Sequence, residues 1–352
     1  MKFLSELPVG SKVKFGNYKV EGSVSGPMVW LVADKNHAGY PANSVTLLTE
    51  KMIDLRGFDA KEPSNSNADR QSSGNNRYLH SNLRQWLNKS GHPWYAATHG
   101  ADAPPNDAGM SQPTGYDDEP GFLSNFSNDE LGGILNTTLT VARNTVTDGG
   151  GSEVVTDKVF LLSNTEIGLA NENSIVEGSL LPLFSNDASR IAKLTQQAFI
   201  NTKSTSKPTT VNDGWYWWLR TPCATFSRVV RSVGSSGTLF GNNAYYGFYG
   251  VRPALNLKSG ILVSDLPDGD GCYNFIWAMP HLIKLDKVVT VNVGDIIEKI
   301  KFGAKLNGLS LNLKSVDIEK LIYEAIALDT DIVSLEIEGK DGKIGKVAYV
   351  IS

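Results

Sequence analysis

Gly214-Trp215-Tyr216-Trp217-Trp218-Leu219-Arg220-Thr221-Pro222 and, further on, Gly250-Val251-Arg252-Pro253-Ala254-Leu255-Asn256-Leu257 enclose the stretch that decides how this chain folds. Both are short apolar runs bounded by Gly and Pro, the pattern of β-strands. Between them lie Arg228-Val229-Val230-Arg231-Ser232-Val233, the turn Gly234-Ser235-Ser236-Gly237, then Thr238-Leu239-Phe240 and the tract Asn242-Asn243-Ala244-Tyr245-Tyr246-Gly247-Phe248-Tyr249. Side chains alternate between the two faces of a strand, so Trp217, Leu219, Val230 and Leu255 are expected inside. Arg220 and Arg252 sit in apolar runs, and each guanidinium has five donors to satisfy. Both are expected to be structural, bonded to carbonyls or a carboxylate. Thr225, Phe226, Arg228, Phe240, Asn242, Asn243, Tyr245 and Phe248 are then left to project together as a ligand-binding face. Aromatic faces stack on a ligand while amides and Arg bond its polar edges. The competing reading is that Phe240, Tyr245 and Phe248 simply close the core.

Other strands are predicted at Ser11-Lys19, Met28-Val32, Val45-Leu48, Val159-Leu162 and Ile261-Val263. Short helices are expected after Ser81, after the capping box Ser127-Asn128-Asp129-Glu130, and from Asn186 through Ile191 and Leu194. Helices come early in this reading and strands late, an α+β order rather than alternating βαβ units. Pro63-Asn76, Gly100-Pro120 and Asn201-Asp213 read as long polar loops, which in compact domains tend to face ligands. Composition breaks near residue 280: all 15 prolines lie at or before Pro280, all 7 tryptophans at or before Trp277, and no arginine follows Arg252. A large domain over 1–278 and a small α/β module over 282–352 follow, with Met279-Pro280-His281 as the linker. Within the module, strands are expected at Lys287-Val293, Asp331-Glu338 and Lys343-Ile351, and helices at Asp295-Lys301 and, capped by Ser315, at Val316-Leu328.

The 352-residue chain carries 33 Lys and Arg against 37 Asp and Glu, a net charge of -4. No basic field holds nucleic acid, and no apolar run is long enough to insert in a membrane. The N-terminal segment, interrupted by Glu6 and Pro8, carries no secretory pattern. Two cysteines, Cys223 and Cys272, exclude a disulfide framework. The five histidines lack metal-ligand spacing. Thr147-Asp148-Gly149-Gly150-Gly151-Ser152 lacks the Lys of a phosphate loop and reads as a turn before the Val159-Leu162 strand. Asp265-Leu266-Pro267-Asp268-Gly269-Asp270-Gly271 lacks the distal Glu of a calcium loop and reads as an acidic turn. No nucleophile has a base beside it. The expectation is a protein that is not an enzyme and takes neither metal nor cofactor.

Trp217-Trp218-Leu219-Arg220-Thr221-Pro222, the central Val230-Arg231, Ser235-Ser236-Gly237 and the closing Gly250–Leu257 motif together resemble a C-type-lectin-like domain family frequent in phages and prophages of Gram-positive bacteria. It is similar to the variable proteins of diversity-generating retroelements. Leu7-Gly16, Leu83-Asn88 and Asp157-Ser163 fit the same family, so the resemblance covers about 1–278. It implies a phage virion structural protein, made in the host cytoplasm, with a non-catalytic ligand-binding face. The partners implied are a host-surface glycan or protein at that face, and capsid or tail proteins at 282–352. Capsid decoration and tail or baseplate adhesion both remain open, and virion symmetry accommodates a homo-oligomer. Two alternatives are a prophage-derived cell-surface adhesin and an enzyme of the formylglycine-generating type. The wide separation of Cys223 and Cys272 disfavours the second. Gln112-Pro113-Thr114 lacks the carboxylate of calcium-dependent lectins.

Overall fold

The computed structural model describes residues 2–21 and 24–277, together with the strands 303–306, 309–312, 332–338 and 344–350. In chain order the strands of the large unit are β1 (Lys2–Phe3), β2 (Lys12–Glu21), β3 (Val24–Lys35), β4 (Ser44–Thr49), β5 (Asp54–Leu55), β6 (Ile134–Leu135), β7 (Thr137–Ala142), β8 (Ser152–Asp157), β9 (Val159–Phe160), β10 (Trp217–Pro222), β11 (Val229–Val233), β12 (Leu239–Asn243), β13 (Gly250–Val251), β14 (Ala254–Lys258), β15 (Leu262–Val263) and β16 (Cys272–Asn274). The helices are α1 (Ala68–Ser73), α2 (Asn82–Leu87), α3 (Asn128–Gly133), α4 (Asp187–Arg190) and α5 (Gln196–Asn201). The class is mixed α+β with strands dominant. Helices occupy the middle of the unit rather than its start, because β2 to β5 precede α1.

Two sheets carry the unit. One runs β16-β2-β3-β4-β14-β6, with β9 also on β14; the other runs β12-β11-β10-β13-β5. Pairing is antiparallel except for β16 on β2 and β10 on β13. The Gly250–Leu257 motif is where the chain changes sheets. Gly250-Val251 pair with Leu55 and Asp54, whereas Ala254 to Lys258 pair with β4. Pro253, without an N–H, stands where the chain leaves one ladder for the other. The adjoining Arg252 Nε bonds the Thr49 carbonyl at 3.0 Å.

β10 is buried at every position, as suits a central strand covered on both faces. Trp217, Leu219, Val230 and Leu255 are at 0 % exposure. Trp217 Nε1 donates to the Arg190 carbonyl (3.0 Å) and Trp218 Nε1 to that of Arg56 (2.9 Å). Arg220 bonds both Glu166 oxygens at 2.7 Å and the carbonyls of Leu161 and Glu177. The strand starts at Trp217 rather than Trp215: Trp215 instead bridges Ala192, and its indole bonds the Phe248 carbonyl.

Ser81 caps α2 through the Arg84 N–H, and Leu83, Trp86 and Leu87 are buried. Ser127 and Glu130 form the capping box of α3. The helix predicted from Asn186 to Leu194 is one turn only. It ends at Arg190, because Ala192 and Leu194 are drawn into bridges with Trp215 and Met52. Pro63-Asn76 is not all loop; it holds α1, capped by Asn67. The glycine tract after Asp148 does not lead directly into β9. It closes the β7–β8 hairpin, with Gly149, Gly150 and Gly151 at φ of 75°, 69° and 68°, a run of left-handed residues that glycine adopts without strain. Asp265-Gly271 is a turn, in which Lys14 and backbone N–H groups hold the Asp268 carboxyl well below the usual range.

Two compact units are present, Phe3–Phe275 and a second comprising Met1–Lys2 with Ile276–Ser352. In the second, β17 (Gly303–Leu306) pairs antiparallel with β18 (Leu309–Asn312), and β19 (Ile332–Glu338) with β20 (Ile344–Val350). The first of these hairpins was not expected; the strands predicted at 331–338 and 343–351 correspond to the second. The predicted linker, the Lys287-Val293 strand and the two helices at 295–301 and 316–328 lie outside the described residues.

Candidate functional site

The hairpin β11–β12 sets out the face. Ser232 stands opposite Phe240, Val230 opposite Asn242 and Val229 opposite Asn243. Directly paired residues share a face, so Phe240 and Asn242 lie with Ser232 and Val230, and Asn243 lies on the opposite side. The eight residues singled out from the sequence therefore form two groups, none of them buried.

The first group belongs to a row of packed rings. Phe240 lies 5.2 Å from Tyr216, Tyr216 5.5 Å from Tyr249, and Tyr249 5.1 Å from Phe248, centroid to centroid. Phe248 lies 5.0 Å from Tyr246, and Tyr246 stacks on Tyr245 at 4.9 Å. Tyr249 is buried and stacks on Trp218 at 4.1 Å, which ties the row to the core. The other rings are half-buried, and Phe240 is 45 % exposed. Phe240, Tyr245 and Phe248 do not close the core. Asn242 Nδ2 donates to the Tyr249 hydroxyl (3.1 Å) and its Oδ1 accepts the Asn243 N–H (3.0 Å). One amide hydrogen of Asn242 remains for other acceptors. Burial pushes the Tyr249 hydroxyl up to about 12, and burial with Tyr246 beside it raises Tyr245. Both keep their protons at neutral pH. Lys61 Nζ lies 5.1 Å from the Tyr245 ring centroid at the end of the row.

Two of the long polar loops meet beside this row. Gln112 Oε1 accepts from Ser204 Oγ (2.8 Å) and the Thr205 N–H (2.7 Å). Next to it, the Ser111 N–H bonds the Tyr245 carbonyl and Ser111 Oγ accepts the Gly247 N–H.

The second group is Thr225, Phe226, Arg228 and Asn243. Thr225 and Phe226 are exposed. Arg228 is not free to project: it forms an ion pair with Asp69 of α1, donates to Asn243 Oδ1 (3.1 Å) and lies 5.7 Å from the Phe226 ring. On β11, Arg231 is paired with Glu172. The arginines of this side thus have carboxylate partners within the protein.

Sequence reasoning missed Tyr216, Tyr246 and Tyr249 of the row. Period-two alternation from Trp218 back to Tyr216 was a usable signal. For Tyr249 and the loop contacts of Gln112 there was none, because they depend on pairings distant in sequence. Among the described residues no three His, Cys, Asp or Glu side chains converge as a metal site, and no helix is long and apolar enough to cross a membrane. Cys223 and Cys272 are buried, free thiols.

Residues 43–259 match a family described as a domain of unknown function, DUF6273. No curated protein and no solved structure matches the chain significantly. The family match spans more than half of the chain and takes in the β10 strand, the whole ring row and the Gly250–Leu257 crossover, so the chain belongs to the DUF6273 family.

Proposed function

We propose that the protein is a non-enzymatic virion component of a tailed phage that presents the Phe240–Tyr245 ring row for recognition of a host-surface glycan. The observation that carries the reading is the row itself: consecutive aromatic rings, half-exposed, anchored to a buried tryptophan and edged by an amide. Ring faces stack on the apolar face of a sugar, while protonated tyrosine hydroxyls and Asn242 bond its polar edge. The scaffold is read as C-type-lectin-like. Its support is the combination of two sheets, short capped helices and long ordered loops that converge beside the face, together with the motifs that resemble that family. In this reading the unit containing Ile276–Ser352 attaches the protein to capsid or tail.

The test is a set of Ala substitutions at positions whose side chains do not hold the fold. Phe240, Tyr245 and Tyr246 are replaced together, and attachment to host cells and to purified cell-wall polysaccharide is measured beside the melting temperature. Lost attachment by a protein that melts normally is expected. Retained attachment rejects this face. Loss of binding to whole cells alone, with polysaccharide binding absent in the wild type, would point to a protein receptor. Mass spectrometry of purified virions tests the location.

A further inference from the structure

The loop 223–229 carries Thr225, Phe226 and Arg228. The Cys223 N–H closes it onto the Val229 carbonyl (2.8 Å) and the Phe226 N–H reaches the Cys223 carbonyl (3.5 Å), and the rest of its backbone is held from outside. Asn76 lies beneath it, fully buried. Its Nδ2 reaches the carbonyls of Cys223 (3.2 Å), Phe226 (2.6 Å) and Val229 (2.9 Å). Its backbone N–H takes the Ser227 carbonyl at 3.2 Å. Two amide hydrogens serve three acceptors, so one is shared. Thr145 bonds the Ala224 carbonyl through both its N–H (2.8 Å) and its hydroxyl (2.9 Å). Arg70 Nε reaches the Ser227 carbonyl (3.3 Å), and the Ala244 N–H takes that of Arg228 (2.8 Å).

Asn76 is itself oriented. Asn144 Nδ2 donates to Asn76 Oδ1 (2.9 Å) and to Asp148 (2.6 Å), and Asp148 pairs with Arg70 (2.6 Å). A donor on Oδ1 fixes which end of the Asn76 amide faces the carbonyls. These bonds engage the backbone and leave the side chains of Thr225 and Phe226 exposed; Phe226 is 45 % exposed. Buried carbonyls need donors. Those of Cys223 and Val229 also accept the Phe226 and Cys223 N–H groups, whereas the Phe226 carbonyl has its bond from Asn76, so Asn76 fixes the tip of the loop at Phe226.

We propose that Asn76 is the positioning residue of a recognition loop: it fixes the backbone from which Phe226 makes contact with ligand. The inference rests on the reading of the protein as a recognition module and extends it from the ring row to the second group, Thr225, Phe226, Arg228 and Asn243, naming the buried residue that holds that group's loop. A loop that spends time in other shapes binds with its affinity reduced by the fraction that is competent.

The experiment uses the full chain and purified Gram-positive cell-wall polysaccharide as the probe, with Asn76→Asp, Phe226→Ala, the double variant and Thr145→Val. Aspartate is isosteric and still accepts from Asn144, but it cannot donate to the three carbonyls. Amide exchange across 223–229 is expected to accelerate about tenfold or more in Asn76→Asp while β3 and β4 keep their protection, and affinity to fall about tenfold with it. If Asn76 acts through Phe226, the double variant binds no more weakly than the weaker single one. Additive losses, or unchanged loop exchange, would overturn the proposal. Should Asn76→Asp not fold, Thr145→Val removes one loop bond at an exposed position. It should move exchange and affinity in the same direction, and no movement in either rejects the idea. Absence of binding by the wild type defeats the recognition reading itself and reduces Asn76 to a structural residue.

Discussion

Arg220 and Arg252 solve the burial of a guanidinium in different ways. Burial works against the charge of Arg220, and the bidentate Glu166 carboxylate more than offsets it, leaving that group above its ordinary value. Arg252 has two carbonyls and the Trp217 ring, 5.1 Å away, as its recorded partners, and burial pulls it down to about 10. Arg252→Ala should cost about 2–4 kcal/mol, the range for breaking a buried charged contact, read from the denaturant midpoint; an unchanged midpoint would show that the β4 corner does not need it. Both arginines were legible because an arginine inside an apolar run must find acceptors. The histidines were not, since His80 and His99 are distant in sequence. Their rings stack at 4.4 Å, and His99 Nε2 lies 2.9 Å from Glu62. Burial, with His99 and Arg77 nearby, pushes His80 down from 6.5 to about 4, while the bond to Glu62 raises His99. The unfolded chain protonates at His80 first, so that residue's contribution to stability declines as pH falls from 6.5 toward about 4. The His99 contribution has the opposite sign: it is fully present below 6.5 and is lost as pH rises through the raised value. Melting curves from about pH 4 to 8 should lose their acid slope in His80→Asn and their neutral-side slope in His99→Asn; identical profiles in all three proteins would remove the pair from the account.

At the scale of elements, what could be read was what is chemically local. Ser81 and Ser127 announce α2 and α3 because a cap needs only a hydroxyl and N–H groups two or three residues on. The helix after Asn186 was overestimated because its cap is local but its end is not: bridges to Trp215 and Met52 pull the chain into extended form after Arg190. The β7–β8 hairpin escaped notice although Thr138 and Thr140 alternate with buried Leu139 and Val141, because in β8 the 65 % exposed Val154 stands beside the buried Val155 and blurs the alternation. Half of the candidate site was visible because its signal is local. Exposed residues between apolar anchors can be picked out by alternation, whereas the clamp on Arg228 comes from Asp69, far away in sequence. The β11–β12 turn offers a test at this scale. Gly237 has φ of 85°, and a Cβ there would come within 1.9 Å of the Asp187 carbonyl oxygen. Arg190 Nε bonds the Gly237 carbonyl at 2.8 Å. Gly237→Ala should therefore separate the turn from α4 and cost roughly 1–3 kcal/mol, the usual range for a strained backbone position. Urea titration measures it, and a loss below a few tenths of a kcal/mol would mean the contact is dispensable.

For the whole molecule, the large unit has its own core around Trp30, Trp86, Trp217 and Trp218, all fully buried. A fragment of residues 1–277 should express, melt in one cooperative step and retain binding to polysaccharide; a fragment that aggregates or lacks a transition would mean the remaining residues complete its fold. Legibility at this scale came from composition, since the disappearance of Trp, Pro and Arg toward the C-terminus separates two kinds of sequence, but no local signal says which strands become neighbours. The parallel pairing of β16 with β2 is the clearest instance, joining Tyr273 to Val13 across nearly the whole of the large unit. Leu4 bonds the carbonyl of Ile261, and Val263 bridges Phe275. Both ends of the large unit thus flank the same short segment, about two strand spacings, or ~10 Å, apart. The order of the chain is therefore separable from the architecture: a peptide of about four residues could splice Phe275 to Phe3, and new termini could be opened in the exposed stretch around Gly100, with every ladder preserved. Such a circular permutant should melt close to the parent fragment, and the same geometry would let the unit be seated within a surface loop of another protein as readily as at its end.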